Sequence, residues 1–357
     1  MQINQEKRIS FWFKENSDMG IRLALETKNL LKSVIESDQG AAYREHLKKI
    51  LPKISDAYGG AKAIPFRAHL GASTIGHECD FYLWLNFRWA NKTFFDERIL
   101  RLFNRGHLEE AHFIAMCKAA ELEIWYETEE GGQFVFSNFG GHFGSALDAV
   151  IKIPELGNTP AYAEFKTHND KSFKSLDKKG LLLSKPRHYA QMQVCMNEYN
   201  LLYGVYFAVN KNDDEIYIEI IERDEASVDA NLKKAINIIF TTKAPKKISN
   251  RSNWWQCVYC DKKDICHNNT LPEINCRTCI QLRPMESGGW YCKHQSMLRD
   301  TGDQFLGCEK HIFNPELFSG VPLVRKSTTE NYIELKLPNG SVVKHGPDHV
   351  SSKDLKL

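Results

Sequence analysis

Apolar residues along the chain follow two spacings, and together these predict an α/β core. Intervals of three and four residues, typical of amphipathic helices, occur in 20–53, 79–90, 95–121, 186–199 and 227–240. Short apolar runs, typical of strands, occur in 124–126, 134–136, 146–151, 161–166, 201–209 and 215–221. This order predicts a mixed central sheet flanked by helices.

Turn-forming residues separate the predicted strands. Gly131-Gly132 lies between the first two strand-like runs, and 210–214 lies between the last two, which predicts a hairpin there. Residues 331–345 predict a smaller hairpin that turns at Asn339-Gly340, a pair that favours tight hairpin turns.

Composition divides the chain into four predicted segments. We expect an N-terminal helical segment at 1–60, a core at 61–245, a cysteine-rich metal-binding module at 246–315, and a C-terminal hairpin and tail at 316–357. The 357 residues allow one full-sized core with a smaller appended module.

Charge and hydropathy exclude several classes of protein. No run approaches the roughly 18 apolar residues of a membrane span, and the N-terminus has no apolar signal-peptide region. We therefore expect a cytoplasmic protein without a membrane partner. The net charge is only +2, so any path for a nucleic acid must come from local clusters of Lys and Arg.

Asp148, Glu164 and Lys166 are the first candidates for chemistry. If 161–166 is a strand, Glu164 and Lys166 share one face and Phe165 is buried on the other. Asp148 lies in an apolar run, where an unpaired charge would be costly. A divalent cation such as Mg²⁺ between the two carboxylates would remove that cost and activate a water. The alternative is a solvated surface pair, which is common for this pattern.

Two helical segments complete a resemblance to a known superfamily. Gly106 is followed four residues later by Glu110, and 189–193 reads Tyr-Ala-Gln-Met-Gln with Gln191 at its centre. With Asp148 and the E-x-K strand, these motifs resemble the PD-(D/E)xK nucleases, in particular the lambda-exonuclease-like and helicase-associated families. The resemblance covers roughly 70–240 and implies a restriction-endonuclease-like fold. It also implies a Mg²⁺ or Mn²⁺ site and the catalytic residues Glu110, Asp148, Glu164, Lys166 and Gln191.

The sequence departs from that pattern at two positions. Leu147, rather than proline, precedes the aspartate. Histidine is frequent at the Glu110 position in the helicase-associated families, and here His107 lies one helical turn earlier on the same face. Either His107 or Glu110 could therefore approach the metal.

The resemblance implies a Mg²⁺-dependent DNA nuclease, with an exonuclease in recombination, repair or phage DNA processing as the leading hypothesis. An endonuclease that degrades foreign or host DNA is the alternative within enzymes. A catalytically idle DNA-binding protein held together by metals is the alternative from another class. A helicase or a single-strand annealing protein is the expected partner besides DNA.

A basic stretch follows Lys166 and is predicted to be a loop. It contains Lys171, Lys174, Lys178, Lys179, Lys185 and Arg187. Its position beside the predicted metal site suggests a track for DNA phosphates. A solvated loop is an equally good interpretation, because Asp170 and Asp177 are interspersed.

Ten cysteines predict further metal sites, because disulfides are rare in a reducing cytosol. Cys257, Cys260 and Cys266 form a tight triplet that needs one more ligand. With Cys79 far upstream, the set resembles the iron–sulfur staple of helicase- and CRISPR-associated nucleases, and this implies a 4Fe–4S cluster. The alternative for Cys79 is a buried free thiol.

A second set of four follows at Cys276, Cys279, Cys292 and Cys308. A C-x2-C pair with two later cysteines suits a tetrahedral Zn²⁺ site. His294 or His311 could replace Cys308 as a ligand. Spacing alone does not separate zinc from iron–sulfur, so both sets could hold zinc.

Overall fold

The structure, a computed structural model, describes residues 20–58, 66–157, 159–318, 321–327 and 331–357. The predicted N-terminal segment at 1–60 is therefore described only over 20–58. Within the described residues, no helix combines the length and the apolarity needed to cross a bilayer.

The described residues form the following helices and strands, numbered along the chain. The α-helices are α1 (Leu25–Asp38), α2 (Ala41–Ile50), α3 (Ala72–Ile75), α4 (Asp80–Phe87), α5 (Glu97–Ala119), α6 (Asp170–Ser184), α7 (Pro186–Glu198), α8 (Glu225–Phe240), α9 (Trp255–Val258), α10 (Lys263–His267) and α11 (Thr301–Leu306). The core strands are β1 (Leu70–Gly71), β2 (Ile124–Trp125), β3 (Val135–Asn138), β4 (Phe143–Ala146), β5 (Ala149–Ile151), β6 (Ala161–His168), β7 (Tyr203–Asn210) and β8 (Ile216–Glu222). The C-terminal strands are β9 (Leu282–Pro284), β10 (Trp290–Cys292), β11 (Met297–Arg299), β12 (Leu323–Ser327), β13 (Tyr332–Lys336) and β14 (Val342–His345).

A five-stranded mixed sheet forms the centre of the fold, in the order β2-β5-β6-β7-β8. Strands β6 and β7 are parallel, and the other neighbouring pairs are antiparallel. The parallel pair is long and buried on both faces, as its run of small, β-branched and aromatic residues requires. The predicted α/β core with a mixed sheet is confirmed.

Alternation along β6 divides the core into two apolar clusters. Phe165 points to one face, where its ring stacks on Phe113 of α5 at 5.4 Å and joins a cluster that includes Phe207. Tyr162 points to the other face, into a cluster formed with α4, α7 and α8. The two faces of β6 therefore meet different helices, and α7 lies on the face that carries Glu164 and Lys166.

Helix α7 is held close to the chain that precedes α4. At Gly76, an added Cβ atom would lie 2.7 Å from the Cα atom of Arg187. Only glycine permits this approach, which fixes the start of α7 and thus the position of its buried residues, Tyr189 to Met196.

Strands β2 and β3, on either side of Gly131-Gly132, lie in different sheets: β2 joins the central sheet, and β3 joins a second sheet, β1-β4-β3. Two predictions about local structure are wrong. The basic stretch after Lys166 is helical rather than a loop, with its first four lysines on α6, Arg187 on α7 and Lys185 between the two helices. The run 146–151 is not one strand: Leu147 and Asp148 lie between β4 and β5.

The C-terminal part contains two small antiparallel sheets. One is β11-β10-β9, and the other is β12-β13-β14. The hairpin predicted at 331–345 is confirmed by the pairing of β13 with β14. A third apolar cluster, which includes Phe313, Ile333 and Leu335, stabilises this region.

Candidate active site

Strand β6 places two charged side chains on one face. Glu164 is fully buried, and its Oε1 atom forms an ion pair with the Nζ atom of Lys166. The Lys166 side chain remains 28 % exposed. The solvated surface pair considered above does not describe this geometry, because the carboxylate has no access to water.

Asp148 reaches the same place from the link between β4 and β5. Its Oδ2 atom accepts a hydrogen bond of 2.9 Å from the Phe165 amide on β6. The same oxygen lies 3.9 Å from Lys166 Nζ. Lys166 is thus the cation between the two carboxylates in this structure.

Helix α7 and the start of β6 hold Glu164 from the other side. The Gln191 amide donates a hydrogen bond of 2.9 Å to Glu164 Oε2. The Tyr162 hydroxyl, two residues before Glu164 and on the same face, donates to the same oxygen. Gln191 was predicted to belong to the site, and Tyr162 was missed, although strand alternation places it beside Glu164.

Helix α5 supplies Glu110 and His107, one turn apart. Their side chains form a pair with 3.6 Å between His107 Nδ1 and Glu110 Oε1. The hydrogen bond with Glu110 raises the pKa of His107 above its ordinary value. Both residues face the same space as Lys166, so the structure brings both candidates of the sequence analysis to the site.

The buried charges shift one another's protonation. Burial, followed by the charge of Glu164, raises the pKa of Asp148 well above its ordinary range. Burial also raises the pKa of Glu164, although Lys166 opposes that shift. Burial would lower the pKa of Lys166, but the two carboxylates outweigh it and raise that pKa. Any added cation would therefore favour the ionised carboxylates.

A cleft of about 550 Å³ opens above this group. Three lysines line it, Lys166, Lys185 and Lys211, together with His107, whose pKa is raised. Glu110 is the carboxylate that lines the cleft directly. The cleft is therefore suited to an anionic substrate.

Of the predicted phosphate track, only Lys185 lines this cleft. Lys174 forms an ion pair with Asp170 at 2.8 Å, and Arg187 forms one with Glu78 at 2.8 Å. Lys171, Lys178 and Lys179 are exposed along α6.

A histidine–tyrosine cluster beside the site was missed by the sequence analysis. The Tyr206 hydroxyl lies 2.9 Å from His168 Nε2 and 2.7 Å from His188 Nδ1. Since a hydroxyl carries one proton, it donates to one ring and accepts from the other. Burial lowers the pKa of His168 to about 4 and that of His188 well below its ordinary value, so both rings are neutral at pH 7. The cluster orders the wall of the cleft next to Lys166.

The first set of cysteines is brought together. Cys79, Cys257, Cys260 and Cys266 line one cavity of about 30 Å³ between α4 and the start of the cysteine-rich segment. Burial is the largest cause of a raised pKa at Cys257, Cys260 and Cys266, and the last of these reaches about 11. Each of these three thiols is also raised by the charge of Cys79.

The second set lines another cavity, of about 20 Å³, formed by Cys276, Cys279, Cys292, Cys308 and His311. Burial raises the pKa of Cys276 to about 11 and that of Cys279 to about 12. His311 is committed to Ser352, whose Oγ atom lies 2.7 Å from His311 Nδ1. His294 does not line this cavity.

Although these sets converge, no group of three or more His, Cys, Asp or Glu side chains among the described residues is arranged as a metal site. At the acidic site, the carboxylates are turned to Lys166 instead. The structure therefore gives the positions of the candidate ligands and no arrangement of them around an ion.

Comparisons with known proteins show distant structural likeness. No protein-family model matches the chain, and no curated protein matches it. The fold is similar to the crystal structure of LHK-Exo, an alkaline exonuclease from Laribacter hongkongensis (17% identity, 48% of this chain, 86% of that chain, TM-score 0.35). It is also similar to LHK-Exo in complex with dAMP (16%, 48%, 86%, 0.36) and to SSO0001 (16%, 63%, 94%, 0.36). At these identities the function of the chain has to be inferred from its own side chains.

Proposed function

We propose that this protein is a Mg²⁺-dependent DNA nuclease that acts as an exonuclease. The observation that carries the proposal is the group of Asp148, Glu164 and Lys166: Lys166 lines a basic cleft and pairs with the two carboxylates behind it. Two carboxylates and an ammonium with shifted pKa values in a cleft are typical of a functional site.

A purely structural role for this group is a weaker explanation. Burying an ion pair costs desolvation energy that the attraction between its members barely offsets, so such a pair contributes little to stability. Here the cost is increased by a second carboxylate, since Asp148 and Glu164 repel each other. An arrangement that is costly for folding is best explained by the chemistry that it performs.

The donor set fits a hard divalent cation. Asp148, Glu164 and Glu110 offer carboxylate oxygens, which Mg²⁺ and Mn²⁺ prefer. Burial is the largest cause of the raised pKa of both Asp148 and Glu164, and a cation bound beside them would favour their ionised forms. When bound, the ion supplies a more nucleophilic water and stabilises the charge that develops on the phosphate. To hold it, the carboxylates would have to give up part of their pairing with Lys166.

The remaining side chains position these groups. Lys166 holds a phosphate oxygen in the cleft and neutralises its charge. Gln191 and Tyr162 fix Glu164 by hydrogen bonds to Oε2, and the Phe165 amide fixes Asp148. Lys185 and Lys211 bind the flanking phosphates of the strand.

The thiol sets complete the proposal. Cys79, Cys257, Cys260 and Cys266 would hold a 4Fe–4S cluster that ties the start of α4 to the cysteine-rich segment. Cys276, Cys279, Cys292 and Cys308 would hold Zn²⁺. The donor chemistry fits, because each set is four thiols around one small cavity.

The test is an incubation of anaerobically purified protein with Mg²⁺ and end-labelled linear DNA, single- and double-stranded, beside a closed circular substrate. We expect degradation of linear DNA by the wild type and a loss of about 10³-fold or more in Lys166→Ala. Lys174→Ala is the matched control, because Lys174 is an exposed lysine on α6 outside the cleft.

The circular substrate separates the two kinds of nuclease. If it is spared, the enzyme is an exonuclease, and if it is cut, the enzyme is an endonuclease. Inert wild-type protein with intact metals would contradict the catalytic proposal and leave a metal-stapled DNA-binding protein as the better explanation.

A further inference from the structure

An exposed apolar surface borders the cleft at the start of α5. It consists of Phe95, Leu102 and Phe103, which we call the aromatic rim. These side chains are 49%, 37% and 42% exposed, and the neighbouring Phe94 is 86% exposed. Single exposed apolar residues are ordinary, but a cluster of this kind marks a site of interaction.

The rim is ordered and belongs to the cleft. The rings of Phe95 and Phe103 meet edge to face, with 5.0 Å between their centroids. Leu102 and Phe103 line the same cavity as Glu110 and Lys166.

Helical geometry sets the distance from the rim to the acidic site. Phe103, His107 and Glu110 follow one another at intervals of four and three residues, so they share one face of α5. Phe103 lies seven residues from Glu110, which is about 10 Å along the helix axis. That is about three nucleotide steps at 3.4 Å per step.

Positively charged side chains near the rim favour a nucleic-acid strand as its ligand. Arg105 lies on the same helix, where its Nη2 atom donates to the Lys211 carbonyl at 3.3 Å. Lys211 and Lys185 line the cleft beside the rim. Cations that follow a backbone, together with aromatic rings that offer a face to bases, are the two components of a single-strand binding surface.

We propose that the aromatic rim stacks on unpaired bases of the DNA strand whose phosphate enters the acidic site. A paired duplex does not offer the faces of its internal bases, so the rim makes the enzyme select a single-stranded or frayed end. This inference rests on the proposed function, since it names the substrate class of the same site.

The experiment compares two labelled strands of equal length, oligo-dT and a fully abasic strand, by fluorescence anisotropy in EDTA. The strands carry the same phosphates and differ only in their bases. We expect the wild type to bind oligo-dT about tenfold or more tightly than the abasic strand. In the double variant Phe95→Ala/Phe103→Ala, binding of oligo-dT should fall to the abasic value, and binding of the abasic strand should change by less than about twofold.

Two further variants guard this result. Trp125→Ala removes an aromatic residue that is also 42% exposed but does not line the cleft, and it should change neither affinity. Phe103→Leu keeps an apolar side chain without the aromatic face, and it should lose part of the preference for oligo-dT even if the double variant does not fold.

Three results would overturn the inference. The wild type could bind both strands equally, the rim variants could lose affinity for both strands equally, or sedimentation could show a wild-type dimer that the double variant converts to monomer. Because the binding assay needs no hydrolysis, its outcome is independent of the nuclease test. If the protein prefers oligo-dT but does not cleave DNA, only the proposed nuclease activity is contradicted. If cleavage depends on Lys166 but the preference for oligo-dT is absent, only the proposed role of the aromatic rim is contradicted.

Discussion

The acidic site and the two thiol sets differ in how the charge of their buried groups is offset. At the acidic site, Lys166 lies between Asp148 and Glu164, so opposite charges of the chain itself offset one another. In the thiol sets, burial is the largest cause of a raised pKa at Cys257, Cys260 and Cys266 and at Cys276 and Cys279, and neighbouring cysteines add to it. The acidic site therefore has a cation of its own, whereas a metal, as proposed above, would have to supply the positive charge for thiolates in the two thiol sets.

The largest expected effect of this difference is on stability after metal removal. Removal of the proposed cluster and zinc ion should lower the free energy of unfolding by about 5 kcal/mol or more, because metal binding at sites of this kind is coupled to folding. Removal of Mg²⁺ by EDTA should have a much smaller effect, limited by mass action. Thermal unfolding and metal analysis by mass spectrometry measure both quantities.

Single variants assign the metals. Cys79→Ser should lose iron and keep zinc, and Cys308→Ser should lose zinc and keep iron. Cys117→Ala is the matched control, since Cys117 is buried in α5 away from both sets, and it should keep both metals. Loss of zinc from Cys79→Ser would show that both sets hold zinc, and unchanged metal content in both serine variants would contradict both assignments.

The next largest effect concerns the internal cation. Lys166→Ala leaves Asp148 and Glu164 without their partner, which should lower the free energy of unfolding by about 3 kcal/mol in EDTA. Urea denaturation at pH 7 measures the change. Lys174→Ala, which breaks an exposed and solvent-screened pair with Asp170, should lose far less. Equal losses in the two variants would mean that Lys166 offsets no buried charge.

Local patterning was sufficient to predict the strand and helix that carry Glu164, Lys166 and Gln191. Small and aromatic residues alternate with the charged pair along β6, and the fold preserves that alternation in two separate clusters. The same rule would have identified Tyr162, two residues before Glu164. Its ring packs in a buried apolar cluster while its hydroxyl reaches Glu164, and the strand pattern alone does not reveal the second contact.

Helix α6 was missed because its charges hid its apolar face. Phe173, Leu176 and Leu181 are buried at helical spacing, but the lysines between them suggested a loop. Gly180, with φ of +70°, also interrupts the helix. At that point the Leu181 amide donates a hydrogen bond of 2.8 Å to the Glu219 carboxylate. That contact comes from another strand, so local sequence could not reveal it.

The histidine–tyrosine cluster was missed for a similar reason. His168 lies on β6, His188 on α7 and Tyr206 on β7. Their approach depends on the parallel pairing of β6 with β7, which places Glu164 opposite Tyr206. Spacing within one segment predicts which face a residue occupies, whereas contacts between segments require the register of the sheet.

The smallest expected effect is on the pH dependence of stability, and it concerns Asp148. Its pKa is raised in the folded state by burial and by Glu164, so the folded protein retains a proton that the unfolded chain loses above about pH 4. The stability of the wild type relative to Asp148→Asn should therefore fall as pH rises from about 4 through the raised pKa. At pH 8 in EDTA the variant should be more stable by about 1 kcal/mol, as urea denaturation would show.

Asp170 should show the opposite dependence of stability on pH in the same protein. The Lys174 ammonium lowers the pKa of this exposed carboxyl through a hydrogen bond, so its contribution to stability is present above about pH 4 and is lost as pH falls through the lowered pKa. Asp170→Asn should consequently be no more stable than the wild type at pH 8.

Added Mg²⁺ should make the wild type more stable than Asp148→Asn and should leave the stability of Asp170→Asn relative to the wild type unchanged at that position, because the ion favours ionised carboxylates only where it binds. If Asp148→Asn has a lower free energy of unfolding than the wild type at pH 8 in EDTA, the prediction is wrong. Lys166 alone would then stabilise both ionised carboxylates, and their repulsion would give no reason to expect a metal.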